Sequence, residues 1–306
     1  MRHWFRVRST ATNSTYTIDA LGLRVAFSGP RRYLAATKLL FPRAGRARPL
    51  SSGEPITLQI EESPTGSGHC RVTMDGSLVT ATSGDAEVLP LLESAVAQAV
   101  IDRVQGRYFL FHAAAVAYQG HGLLMPGASG SGKSTLAGAL VAAGCQYLSD
   151  EIAALDPESL RLTLYPKSVC AKEGGYQALA SGWPGRATPT PQLRANGERI
   201  WYLAPPATSW ARTPVPVRHV VLPRFVLGAD VSIARIPRAT GLSQLIEQTF
   251  APGPREAWGV ARLVEMLRQA NCWELRFGDT PQAAALLLAT IADHSDTDRR
   301  RSSDGR

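Results

Sequence analysis

The sequence predicts an α/β fold in which a small strand-rich region precedes a larger unit of alternating strands and helices. Three observations predict it. After residue 85, short apolar strands alternate with segments of helical spacing. At 127–134 a glycine-rich loop lies between an apolar strand and a helix. Ahead of them, residues 1–84 hold short alternating segments such as TYTIDALGLRVAF and SGHCRVTMDGSLVTAT, broken by Gly, Pro and Ser clusters. The expected organisation is therefore a strand-rich region at 1–84, a larger α/β unit at 85–294 and a disordered tail at 295–306.

From 85 to 105 the residues Val88, Leu91, Leu92, Ala95, Val96, Ala99 and Val100 recur at helical spacing, and Gly106 suits the end of that helix. YFLFHAAAVAY from Tyr108 reads as a strand, followed by a turn at Gly120 and Gly122 and a short apolar strand, LLM. The glycine-rich loop opens a helix from Ser134 to about Ala143, with Gly144 as its stop, and CQYLSD then forms a strand ending in two carboxylates. Residues 181–218, rich in Pro, Gly, Thr and Arg, read as a long irregular or mobile connection. Beyond it, HVVLPRFV, VSIARI and CWELRFG read as strands, with helices at 241–250, 256–270 and 280–292.

With 306 residues and 44% hydrophobic content, the chain is long enough to bury a substantial core. The longest apolar run, Ala283 to Ile291, is too short to span a bilayer, and no apolar stretch follows the charged N-terminus. No membrane partner and a cytoplasmic location are expected. Cys70, Cys145, Cys170 and Cys272 lie far apart without metal-ligand spacing and read as core residues. The net charge of +8 would attract phosphates or acidic peptides. No helix-turn-helix, RNP or zinc-finger signature accompanies it, so no specific nucleic-acid partner is expected.

Gly127, Ala128, Ser129, Gly130, Ser131, Gly132, Lys133 and Ser134 match GxxxxGK[ST] in full. The glycines let successive N–H groups turn inward towards phosphates, and the following helix, with Thr135 in its first turn, adds the positive end of its dipole. Lys133 is expected to reach the β- and γ-phosphates of ATP, and Ser134 to ligate Mg2+. Asp150 and Glu151 end the next strand, where one can bind metal and the other accept a proton; the competing reading is a solvated strand end. His112 lies in an apolar strand, where an imidazole is costly unless hydrogen-bonded. It is either a structural histidine or, if its strand runs beside that of the P-loop, a group near the phosphates.

The block FHAAAVAYQGHGLLMPGASGSGKSTLAGALVAAGCQYLSDEIAAL resembles the catalytic domain of bacterial HPr kinase/phosphorylase and, more closely, the HPr-kinase-related proteins. The resemblance covers about 108–176 and rests on a strand histidine, a P-loop some twenty residues later and an acidic pair after the P-loop helix. It implies a P-loop kinase core of the HPr-kinase C-terminal-domain or PEP-carboxykinase-like type. It assigns Lys133 and Ser134 to the triphosphate and its magnesium, Asp150 to orienting the acceptor hydroxyl as base, and Glu151 to the metal. His112 matches the strand histidine. Ala113 stands where the HPr enzymes have Glu, which speaks against their reverse phosphorylase activity. In YPKSVCAKEGG, Lys172 is the closer match to a phosphate-contacting lysine and Lys167 the weaker, while Arg235 and Arg238 are expected to supply a late cation.

The activity implied is transfer of the γ-phosphoryl group of ATP to a serine hydroxyl of a protein or peptide. Some HPr-kinase-related proteins tailor natural-product precursors, including lasso peptides. A small-molecule kinase or ATPase, and a nucleotide-binding regulatory protein without turnover, are the alternatives. The resemblance leaves open whether the chain is a hexamer, as the HPr enzymes are, or a smaller homo-oligomer.

Overall fold

A computed structural model of the protein describes residues 14–43, 54–62, 69–250 and 257–303. The N-terminal region begins with the hairpin β1 (Ser14–Ala20) and β2 (Leu23–Gly29), whose turn residues Leu21 and Gly22 both take positive φ. Helix α1 (Arg31–Leu40) follows, then β3 (Ile56–Glu62), β4 (Cys70–Met74) and β5 (Ser77–Thr82). Asp75 and Gly76 turn β4 into β5, both at positive φ, which suits an Asp-Gly pair. The five strands form one sheet in chain order. Neither α1 nor β3 is visible in the composition pattern of this region.

Helix α2 (Val88–Val104) ends where Gly106, at φ +83°, reverses the chain, as its apolar spacing predicts. Its buried face carries Leu89, Leu92, Val96 and Val100, which join Val25, Phe27, Ile56, Leu58 and Val72 of the first sheet in one core. Tyr165, Cys170, Ile200 and Tyr202 belong to that core as well. The strand-rich region is thus packed against the rest of the chain, with α2 between.

The second sheet is built on β6 (Phe109–Tyr118), β7 (His121–Pro126), β8 (Gln146–Ser149), β9 (Ile152–Leu155) and β10 (Arg161–Thr163). Helix α3 (Lys133–Ala142) leaves β7 through the glycine-rich loop and stops at Gly144, φ +98°. β6 pairs antiparallel with both β7 and β8, so β7 and β8 point the same way with β6 between them. Next come β11 (Val169–Lys172), α4 (Glu173–Ala180), β12 (Arg186–Ala187), β13 (Gln192–Leu193) and β14 (Arg199–Ala204), then β15 (Val215–Phe225) and β16 (Ser232–Arg235). Helices α5 (Arg238–Glu247) and α6 (Ala257–Arg268), strand β17 (Asn271–Phe277) and helix α7 (Thr280–Ser303) complete the chain. β15 runs parallel to both β7 and β17, so the C-terminal ends of all three lie at one edge of the sheet.

Two expectations differ from this architecture. Residues 181–218 carry regular structure: β12 and β13 each pair with β14, as does β11, in a third sheet. The strand Ile200–Ala204 is buried, and the Pro, Gly and Arg residues around it mask its short apolar run in the composition. Helix α7 continues past the expected end at 292, through Ser303, and takes in most of the segment expected to be disordered. Residues 304–306 of that tail lie outside the described residues. The described fold is a mixed α/β architecture of three sheets, and no described helix is long and apolar enough to cross a membrane.

Candidate functional site

At the edge where β7, β15 and β17 end, the chain leaves β7 as a loop whose conformation only glycine adopts cheaply. Gly130 and Gly132 sit at φ +86° and +95°. A Cβ on Gly132 would lie 2.8 Å from Phe277 Cζ and 3.1 Å from Phe225 Cβ. The backbone N–H of Phe225 donates to Ser131 O at 3.1 Å, tying the end of β15 to the loop. Sequence and packing therefore fix the loop's path together.

The loop opens onto a cavity of 670 Å³ lined on this side by Ser129, Gly130, Gly132, Lys133, Ser134 and Thr135. Gly127, Ala128 and Ser131, also expected at the nucleotide, face away from it. The carbonyls of Gly127 and Ala128 accept the Lys133 ammonium at 2.5 and 2.9 Å, and Ser131 Oγ is buried behind the loop. Burial lowers the pKa of Lys133 to about 8, against the pull of Glu151 and Asp150 in the other direction. Its ammonium is curled onto the loop carbonyls and half-ionised near pH 8, so an arriving anion gains a cation already at hand.

His112 lines the same cavity. Register explains why: Ala113 of β6 pairs with Pro126 at the end of β7, so the neighbouring His112 falls beside the loop. Burial and then the Lys133 ammonium depress its pKa, which leaves the imidazole neutral at pH 7. The ring also lies 5.8 Å from that of Phe250.

Asp150 and Glu151 follow β8 and reach the cavity because β8 is parallel to β7 across β6. They differ sharply in surroundings. Asp150 is 1% exposed. Its Oδ1 accepts from Tyr147 Oη at 2.9 Å and meets Lys167 Nζ at 2.9 Å, and its Oδ2 accepts the Cys170 N–H at 2.7 Å. Glu151 is half-buried and forms no salt bridge among the described residues, and burial raises its pKa despite the Lys167 charge. A desolvated carboxylate without a direct ion pair can take a cation that arrives with the ligand. Ser134 and Glu151 together fit a magnesium ion that takes most of its oxygens from phosphates and water. Among the described residues no three His, Cys, Asp or Glu side chains cluster as a metal cage.

The two expected lysines separate. Lys172, last residue of β11, lines the cavity and pairs with Glu198 at 2.6 Å. Lys167 does not line it. It is 0% exposed and sits between Asp150 and Glu93, 2.9 Å from an oxygen of each. Burial by itself disfavours its charge, but Asp150 and Glu93 outweigh burial and hold its pKa well above the ordinary lysine value. The contact with Glu93 is ionic without hydrogen-bond alignment, and Tyr202 Oη donates to the other Glu93 oxygen at 2.7 Å. Lys167 is thus an internal anchor of Asp150 and has no route to a phosphate.

Arg235 and Arg238 are not brought to the site. Arg235 pairs with Trp273 near the start of β17 and donates to Asn271 Oδ1 at 2.7 Å, while Arg238 Nε donates to the Ala270 carbonyl. The P-loop touches the other end of β17, at Phe277, about 13 Å along the strand. The antiparallel course of β16 carries these arginines away from the edge that their position in the chain suggested. Among the described residues the arginine that does line the cavity is Arg194, whose guanidinium reaches Glu198 at 3.3 Å and Glu93 at 3.8 Å. It comes from the segment read as irregular, and Glu93 from the helix expected over 85–105; neither carries a motif. The four cysteines are buried and form no disulfide among the described residues, and Cys170 lies both in the core and at the cavity wall.

A comparison of the chain with known family models and with curated proteins finds no match.

Proposed function

We propose that the protein is an ATP-dependent phosphotransferase that moves the γ-phosphoryl group to a serine hydroxyl of a protein or peptide, with its active site in the P-loop cavity. One observation carries the reading: the P-loop residues Lys133 and Ser134 open into the same cavity as His112, Asp150 and Glu151. A binding module needs the loop; it has no use for a carboxylate anchored beside it. We read this half of the chain, whose described architecture is mixed α/β, as a P-loop kinase core of the HPr-kinase type.

Phosphoryl transfer asks chiefly for positioning and charge neutralisation. The N–H groups at the start of α3 and the Lys133 ammonium would hold the β- and γ-phosphates. Magnesium, held by Ser134, Glu151 and the phosphates, would neutralise charge on the transferring group. The acceptor hydroxyl attacks the γ-phosphorus, the bond from that phosphorus to the β–γ bridging oxygen breaks, and ADP leaves. Asp150 Oδ2, which keeps one lone pair beyond the bond from Cys170, accepts the hydroxyl hydrogen and orients the attack. Lys167 fixes the direction of that carboxylate. Lys172 and Arg194, on the same side, add positive charge where the acceptor approaches.

The test is incubation of the pure protein with γ-labelled ATP, magnesium and serine-bearing peptides. Label on peptide serine, lost in Asp150→Asn that still binds ATP, supports the kinase. ATP binding with no transfer and no hydrolysis on any acceptor would favour a regulatory nucleotide-binding protein instead.

A further inference from the structure

Strand order divides the lining of the cavity chemically. β6 and β8, on one flank of β7, bring His112, Asp150 and Glu151, and Lys172 and Arg194 join that flank through the bond from the Cys170 N–H of β11 to Asp150 and through their shared partner Glu198; β15 and β17, on the other flank, lead to Phe225, Leu227, Gly278 and Pro281, with Asp279 and Thr280 between the last two. Asp279 Oδ1 is engaged by the N–H of Gln282, as a cap of α7. This second side is apolar and open: Phe225 is 41% and Leu227 87% exposed, unusual values for large apolar side chains beside a polar site.

The exposure is not that of a loose loop. The Phe225 N–H is bonded to Ser131 O, the Val226 N–H to Phe277 O, the Ala229 N–H to Val226 O and the Gly278 N–H to Ala229 O. These bonds hold residues 225–229 as a tight turn against β17. Gly228, at φ +73°, closes the turn, and Gly278 lets the two backbones meet, since a Cβ there would lie 2.7 Å from Ala229 N. Phe225 is braced edge-on by Phe277 at 5.8 Å between ring centroids. An apolar platform is thus fixed in place, next to the loop that would hold the phosphates, and it is open among the described residues.

Resting on the phosphotransferase reading, we propose that Phe225 and Leu227, with the backbone of Gly278 and the ring of Pro281, form the seat of the nucleobase. A nucleoside triphosphate has one flat, weakly hydrated end and one anionic end, and the two halves of the cavity match them in that order. The base stacks on the Phe225 and Leu227 side, the phosphates cross the P-loop, and the γ-phosphoryl group points to Asp150. The acceptor therefore enters past Lys172 and Arg194, opposite the base.

Calorimetric titration of the full chain with Mg-ATP and with magnesium tripolyphosphate, which has the phosphates and no base, tests the assignment. Leu227→Ala and Phe225→Ala are each expected to weaken ATP binding roughly tenfold and to change tripolyphosphate binding less than twofold. Leu227 makes no fold contact that its loss would disturb at 87% exposure, so it guards against a folding artefact in Phe225→Ala. Equal loss of both ligands, or no loss of either, in a protein that binds ATP overturns the base seat alone. A wild-type protein that binds neither ligand overturns the phosphotransferase reading on which it rests.

Discussion

Replacing Lys167 with Met removes the one cation buried between two carboxylates while keeping most of the side-chain volume. The ammonium touches an oxygen of Glu93 and an oxygen of Asp150, each at 2.9 Å, in a region with almost no solvent. Breaking one buried ion pair from one side costs about 3–5 kcal/mol, because a charge is left without compensation. Here two carboxylates lose their partner, but Tyr147, Tyr202 and the Cys170 N–H still donate to them, and Arg194 stays 3.8 Å from Glu93. The loss is therefore expected within that range, at about 4 kcal/mol, lowering Tm by roughly 10 °C for a chain of this size. Thermal unfolding of wild type and Lys167→Met at pH 8 reads that gap directly. A gap below 2 °C would refute the anchoring argument.

Three further expectations follow from the same geometry. Arg235→Ala and Arg238→Ala should leave ATP affinity and phosphoryl transfer within about twofold of wild type, since both arginines lie at the far end of β17; a tenfold loss in steady-state assays would contradict that placement. Gly132→Ala should destabilise the protein by about 2 kcal/mol or more, because φ is +95° and the new Cβ meets Phe277 at 2.8 Å, and denaturant unfolding with unchanged midpoint would show the loop to be more yielding. ATP affinity of the wild type should fall as pH rises past about 8, where the free Lys133 loses its proton; calorimetry showing affinity flat from pH 7 to 9.5 would remove the ammonium from binding.

The elements with strong local signals were legible in the sequence. The P-loop, its strand and its helix, the α2 spacing with Gly106, and the Gly144 stop appear where the pattern puts them, because local glycine geometry and apolar period decide them. His112, Asp150 and Glu151 converge with Lys133 as expected, but through a device the sequence does not announce: an antiparallel strand, β6, set between two parallel ones. The roles that depend on long-range packing were not legible. Nothing local distinguishes Lys167, whose partner Glu93 lies 74 positions away on another helix, from the cavity-lining Lys172 five residues on. Arg194 and the buried strand β14 are hidden in a segment whose Pro and Gly content imitates a loop. Arg235 and Arg238 were misplaced because chain order does not give strand direction.

The most direct test of the central claim is titration of wild type and Lys133→Ala with Mg-ATP by calorimetry at pH 7. If the cavity cradles a triphosphate, wild type binds, and loss of a buried cation facing the phosphates weakens binding by about thirtyfold or more. Equal affinity in the two proteins would place the nucleotide elsewhere, and no binding to either would contradict the account.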